Sequence, residues 1–73
     1  MRTKLCECKL GEFVVAQILK DAKWVSRHGL FEGDIISVIK NDRNYVVFYL
    51  GNFVCAIDRF SAESIFVEAV KNG

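Results

Sequence analysis

The side chains best suited to chemistry in this chain are three cysteines and one histidine, Cys6, Cys8, Cys55 and His28. Thiolate and imidazole groups are the ligands that zinc and other soft metals prefer. However, the Cys-x-Cys spacing is not that of a zinc knuckle, and neither a second close cysteine pair nor a His-x₃₋₅-His motif follows it. The pattern therefore predicts no metal site and assigns the thiols to packing or to an inert surface.

The cysteines also bear on the redox compartment. Cys6 and Cys8 are too close along an extended chain to form an unstrained disulfide, since residues two apart lie about 7 Å from each other. The number of cysteines is odd and no secretory feature accompanies them, which indicates free thiols in a reducing compartment. Cys55 lies among apolar residues, where a thiol packs as a small hydrophobic group.

Nucleophilic catalysis has no support in the sequence. His28 has no recognisable serine or cysteine and carboxylate partners, and the chain contains neither a Gly-x-Ser-x-Gly motif nor a glycine-rich phosphate loop. A cation at a helix C-terminus, favoured by about 0.3–1 kcal/mol, is enough to explain this histidine. A chain of 73 residues also has few side chains to spare for enclosing a substrate. We therefore expect a binding protein, with no catalytic residues and no cofactor.

Charge and hydropathy narrow the class of partner. The net charge is +1 and the signs are mixed along the chain, so no strong field attracts nucleic acid or an anionic membrane. The N-terminus is charged rather than apolar, unlike a signal peptide, and the longest apolar stretch, Tyr45–Leu50, is too short to cross a bilayer. We expect one cytoplasmic domain over residues 1–73, without nucleic-acid binding or membrane insertion.

Hydrophobic alternation and turn residues predict the elements that position these side chains. Gly51-Asn52 is a two-residue hairpin signal of type II′, and Asp21 and Ser61 are candidate N-caps of short helical segments at 21–28 and 61–64. Five strands are predicted: Phe13–Leu19, Asp34–Lys40, Tyr45–Leu50, Phe53–Asp58 and Ile65–Val70. Closing these strands removes exposed edges, so we expect a mostly β, five-stranded SH3-like barrel with one short helix after strand one.

The inward phase of the predicted strands identifies the core. The expected buried residues are Ile36, Val38, Ile57, Ile65 and Val67.

From Leu5 to Ala69 the order of motifs resembles one known family, the ferrous iron transport protein A family, FeoA. That family has an opening leucine followed by a glycine and a strand, a Leu-Gly-Leu-x-x-Gly turn before a Val-x-Val strand, and an Ala-Leu-Arg segment before a final Ile-x-Val strand. The matching segments here are Leu5-Cys6-Glu7-Cys8-Lys9-Leu10-Gly11, His28-Gly29-Leu30-Phe31-Glu32-Gly33, Ile36-Ser37-Val38, Ala56-Ile57-Asp58 and Ile65-Phe66-Val67.

The resemblance implies a cytoplasmic accessory of ferrous iron uptake that binds and modulates FeoB, the membrane transporter with a GTP-binding domain. An alternative from another class is an SH3-like ligand- or peptide-binding module, akin to the C-terminal domains of iron-dependent repressors. A small RNA-binding barrel needs a basic, aromatic face, which the net charge of +1 does not favour. Metal analysis would distinguish a fourth class, a metallochaperone, and self-association stays open.

The predicted partner surface is the short helix at 21–28 with the turn that follows it. It combines one large aromatic residue and two cations with an aromatic residue of the turn: Lys23, Trp24, Arg27 and Phe31. Tryptophan and arginine are enriched among residues that dominate interface energetics. A second interpretation has Trp24 closing the open end of the barrel, and the two roles are compatible.

Overall fold

The computed structural model describes residues 2–20, 22 and 29–70. These residues form one antiparallel sheet in the order β1-β6-β2-β3-β4-β5, which leaves β1 and β5 at its edges. The strands are β1 Thr3–Lys4, β2 Gly11–Ile18, β3 Ile35–Asn41, β4 Tyr45–Leu50, β5 Phe53–Asp58 and β6 Ile65–Ala69. A 3₁₀ helix, Leu5–Glu7, follows β1, and one short α-helix, α1 (Arg59–Ala62), joins β5 to β6.

The mostly β class is confirmed, whereas the predicted strand number, closure and helix position differ from the described structure. The sheet has a sixth strand, Thr3–Lys4, paired with Phe66 and Val67, and its two-residue length is too short to produce a detectable alternation. Within the described residues β1 and β5 do not pair with each other, so the sheet is open rather than closed. The described helix lies late in the chain, whereas the helix predicted at 21–28 lies outside the described residues except for the buried Ala22.

Two register shifts bend the sheet. Ala16 is the extra residue where β2 pairs with β6, and Ile39 is the extra residue where β3 pairs with β4. A bulge of this kind bends its strand and increases the local twist. The bulge at Ala16 also explains why Val15 and Ile18, three positions apart, are both buried.

The core agrees with the predicted inward phase. All five residues expected to be buried are at most 7% exposed, and they pack with ten further buried residues that were not among those five. The members of that second set are Leu5, Cys6, Cys8, Val15, Ile18, Ala22, Leu30, Val46, Phe48 and Ala62. The 3₁₀ helix accounts for Leu5 and Cys6, since its turn places both residues against the core.

The turn type predicted for the β4–β5 hairpin is confirmed, whereas the start predicted for α1 is wrong. Leu50 pairs with Phe53 around a two-residue turn, and only the first turn residue, Gly51, has positive φ, which makes the turn type II′ as predicted. The α-helix, by contrast, begins earlier than expected. Its N-cap is Asp58, whose carboxylate accepts from the Ser61 N–H at 3.2 Å, and not Ser61 itself.

We expect this fold to form without a metal ion. Within residues 2–20, 22 and 29–70, no group of three or more His, Cys, Asp or Glu side chains is placed to hold a metal. Circular dichroism should show a predominantly β spectrum, with less than about one-fifth helix, that is the same before and after treatment with a chelator. Loss of structure on chelation would contradict this expectation and assign the cysteines to a structural metal.

Candidate protein-binding site

The loop before β3 is held in place by backbone hydrogen bonds to β2. Gly33 N–H donates to the Val15 carbonyl at 2.7 Å, and Val15 N–H donates to the Asp34 carbonyl at 2.8 Å. Within the loop, Phe31 N–H donates to the Asp34 carboxylate at 2.9 Å. This bonding fixes the backbone of Phe31, yet its side chain remains 56% exposed. A large apolar side chain is thus held at the surface by a rigid turn.

Glu32 provides a further attachment of this loop to β2. Its carboxylate accepts from the Ile18 N–H at 3.0 Å. The pairing of β2 with β3 ends at Val14 and Ile35, so the Glu32 side chain takes over where the strand ladder stops. The carboxylate therefore has a structural partner and positions the loop that carries Phe31.

A groove separates this loop from the β4–β5 turn. Its volume is about 500 Å³, and its lining is mainly apolar. Eight residues line it: Gly29, Phe31, Asp34, Leu50, Gly51, Asn52, Phe53 and Cys55. Phe53 is 74% exposed, so both rims of the groove carry an accessible aromatic side chain. Exposed aromatic residues beside an apolar depression are typical of surfaces that bind a protein segment.

The structure describes only part of the predicted partner surface. Phe31 lies in the groove, as described above. Lys23, Trp24, Arg27 and His28 lie outside the described residues, so their contribution stays a prediction. Phe53 was missed, because the sequence analysis identified it only as the first residue of a predicted strand. Its position directly after the hairpin turn is the one sequence signal that indicated exposure.

Two of the three thiols considered above as metal ligands are buried, and the third, Cys55, is partly exposed. Cys6 and Cys8 are 4% and 7% exposed, and they line an open cleft of about 830 Å³ with Asn41 and Arg59. The Cys8 thiol donates to the Leu5 carbonyl at 3.1 Å. Burial is the largest cause that raises the pKa of each of these two thiols above its ordinary value. Neutral, buried thiols of this kind are poor nucleophiles and poor metal ligands.

The polar groups beside this cleft connect three separate segments. The Asn41 amide donates to the Cys8 carbonyl at 2.9 Å, and its oxygen accepts from the Arg59 guanidinium at 3.1 Å. Arg59 also donates to the Asp42 carbonyl at 2.9 Å. The N-terminal segment, the β3–β4 turn and α1 are therefore joined through these side chains. We assign this cleft a structural role and regard the groove as the candidate site.

The chain is similar to the crystal structure of an iron uptake regulatory protein, FeoA, with 25% sequence identity and a TM-score of 0.80 over 92% of this chain and 96% of that one. The chain has a FeoA-like fold. The resemblance inferred from the sequence motifs is thereby confirmed at the level of fold.

The FeoA-like fold is shared with a protein of another class. A manganese-dependent transcriptional repressor matches 94% of this chain with a TM-score of 0.83 and 13% identity. This chain spans 42% of that repressor, and identity this low shows the fold alone. No protein-family model matches the chain, and no curated protein matches it. In the part of the chain that the structure describes, no helix has the length and apolar character needed to cross a membrane.

Proposed function

We propose that this FeoA-like chain is a cytoplasmic, non-enzymatic accessory of ferrous iron uptake that binds a FeoB-type transporter or its GTP-binding domain and modulates it. The observation that carries the proposal is the similarity to FeoA along nearly the whole of both chains. The apolar groove supports a binding role, because it presents Phe31 and Phe53 on a backbone fixed by hydrogen bonds.

The groove would receive an apolar segment of the transporter, and the predicted cationic helix would add charge. An aromatic side chain inserted between Phe31 and Phe53 would bury area on both rims. Lys23 and Arg27 would steer the approach of an acidic surface, with an effect that weakens as salt rises. Asp34 lines the same groove, but its carboxylate already accepts from the Phe31 N–H.

Titration against the purified cytoplasmic part of FeoB tests the proposal. Phe31→Ala should weaken binding by at least about tenfold, or 1.4 kcal/mol, because truncation removes one wall of the groove. The matched control is Phe60→Ala, since Phe60 is 80% exposed on α1 and does not line the groove. Wild-type affinity from a folded Phe31→Ala variant, or an equal loss in the control, would contradict the assignment of this surface.

Separate variants test the part of the predicted partner surface that lies on the helix predicted at 21–28. Trp24→Ala combined with Arg27→Ala should leave the fold intact and also weaken FeoB binding by at least about tenfold. If Trp24 instead closes the end of the sheet, Trp24→Ala should lower the thermal midpoint and Arg27→Ala should change nothing. Measuring affinity and thermal midpoint for both single variants separates these two roles.

A second candidate function is a regulatory module that binds a ligand or a peptide. The fold match to the manganese-dependent transcriptional repressor favours it. Either function would use strands β2 to β6 as an SH3-like module. A DNA-binding domain on the same polypeptide would favour the regulatory module, and FeoB binding that depends on Phe31 would favour the transporter accessory.

A further inference from the structure

The edge strand β5 presents unpaired backbone groups at alternate positions. The two-residue turn makes Leu50 and Phe53 the first hydrogen-bonded pair of the β4–β5 ladder, and every second pair along it is bonded in the same way. At the far end Arg59 N–H donates to the Asn44 carbonyl at 2.9 Å, which agrees with this phase. The N–H and C=O groups of Val54 and Ala56 must therefore point away from β4.

Nothing in the described part of the chain occupies this edge. β5 is the last strand of the sheet, and no described residue hydrogen-bonds with the backbone of Val54 or Ala56 on the open side. Val54 is 58% exposed, and Ala56 is also exposed. Soluble proteins commonly protect such edges with lysine, proline or a bulge. From Phe53 to Ile57 the strand carries no charge and no proline, and its pairing with β4 is regular.

We propose that β5 pairs with β5 of a second copy of this chain, antiparallel and around a twofold axis at Cys55. In this register Val54 lies opposite Ala56 of the second copy, and the two residues exchange both of their outward backbone bonds. The twofold axis repeats the exchange for Ala56 and Val54 of the second copy. All the outward groups of these two residues are thereby satisfied, as in a symmetric, self-complementary interface.

The side chains select this register over its neighbours. With the axis at Cys55, Phe53 faces Ile57 of the second copy, so apolar residues meet from Phe53 to Ile57. Moving the axis to Ala56 places the Asp58 carboxylate opposite Val54, and moving it to Val54 places Ala56 opposite Asn52. Each of those shifts exchanges an apolar pair for a mixed pair, which stabilises a sheet less. A contact between two six-residue strands is small, so the dimer should depend on concentration.

A disulfide between the two copies of Cys55 would report directly on the register of the β5–β5 pairing. It would lie opposite its own copy in a non-hydrogen-bonded pair, where Cα atoms are about 4.5 Å apart, within the range of about 4.4–6.8 Å that a disulfide spans. Oxidised glutathione would join the two thiols. The two Cys55 thiols lose two protons and two electrons to form the S–S bond, and one oxidised glutathione takes them up and becomes two reduced glutathione molecules.

Sedimentation equilibrium of the full chain under reducing conditions tests the dimer. The mass should rise with concentration from 8.3 kDa towards twice that value. Ala56→Pro removes an outward N–H without touching the ladder to β4, and it should weaken association by at least about tenfold. Val54→Lys should do the same by adding a charge to the edge, whereas Ser37→Lys, on the same sheet face in the interior strand β3, should not.

The oxidation experiment completes the test. With oxidised glutathione, the wild-type chain should give a covalent dimer, and Cys55→Ser should give none while still associating reversibly. A monomer at every concentration would overturn the proposal, as would cross-linking through Cys6 or Cys8. If the Ala56→Pro variant fails to fold, the association of Val54→Lys is compared with that of Ser37→Lys. Weaker association of Val54→Lys alone supports the dimer, and equal association of the two contradicts it. Phe53 and Cys55 belong to both the groove and the dimer contact, whereas Phe31 lies outside β5. FeoB binding is therefore measured through Phe31, so its success or failure is distinguishable from that of the dimer.

Discussion

Replacing Phe48 with alanine should remove most of the stability of this domain. Phe48 is 1% exposed and lies in the middle of β4, between β3 and β5. Phenylalanine-to-alanine changes in a core cost about 3–5 kcal/mol, because transfer free energy is lost and a cavity remains. A domain of 73 residues has roughly 4–11 kcal/mol of total stability at typical values per residue. We therefore expect a loss of at least about 12 °C in thermal midpoint.

Urea denaturation followed by circular dichroism measures this loss. The matched control is Phe60→Ala, because Phe60 is 80% exposed and the same atoms are removed. Its effect on the free energy of unfolding should stay within about 0.5 kcal/mol. Comparable destabilisation by the two variants would contradict the buried position of Phe48 and with it the register of β4.

The second large effect concerns thiol reactivity. Cys55 is partly exposed in the groove, whereas Cys6 and Cys8 are buried. Alkylation requires an accessible thiolate, so the buried thiols can react only after local opening of the fold. Opening that costs about 2.7 kcal/mol slows modification about a hundredfold. We expect iodoacetamide to modify Cys55 at least about a hundred times faster than either buried thiol.

Mass spectrometry of peptides taken at successive times measures the three rates, and unfolding in urea should make them equal. A Cys55→Ser variant provides the control, since its remaining thiols should stay protected in the native state. Rapid modification of Cys6 in that variant would show that the N-terminal 3₁₀ helix opens readily, contrary to its packing in the core.

Because the pKa of each of the two buried thiols is raised, the stability of the fold should depend on pH. The unfolded chain, with exposed thiols, loses these protons first as the pH rises, while the folded chain retains them. The contribution to stability is therefore fully present below the ordinary thiol pKa and is lost as the pH rises through the folded-state values. Replacing Cys6 and Cys8 with alanine should make the decline in stability above about pH 9 shallower than in wild type.

Of the two aromatic residues on the rims of the groove, only Phe31 was predicted as a partner-binding residue. Phe31 was included as the aromatic residue of the turn after the predicted helix, and the structure places it on the rim of the groove. Phe53 was not singled out, although it forms the opposite rim. Its exposure depends on β5 being an edge strand, and no residue in β5 itself encodes which strand will lie beside it.

Features that depend on near neighbours could be predicted from the amino-acid sequence alone. Alternation gave the inward residues of three strands, such as Ile36, Ile57 and Val67, and Gly51-Asn52 specified the hairpin whose two strands begin and end as predicted. These features follow from the period of two along a strand and from the φ that a tight turn requires. Both are properties of a few consecutive residues.

Features that depend on contacts between distant segments became visible in the folded structure and not before. The short strand at Thr3–Lys4 exists because β6 is available to pair with it, and Asn41 and Arg59 join segments more than thirty residues apart in sequence, from Cys8 to α1. The open edge at β5 has the same origin. Pairing between distant segments is set by the combined burial and hydrogen bonding of the whole chain, which no local pattern contains.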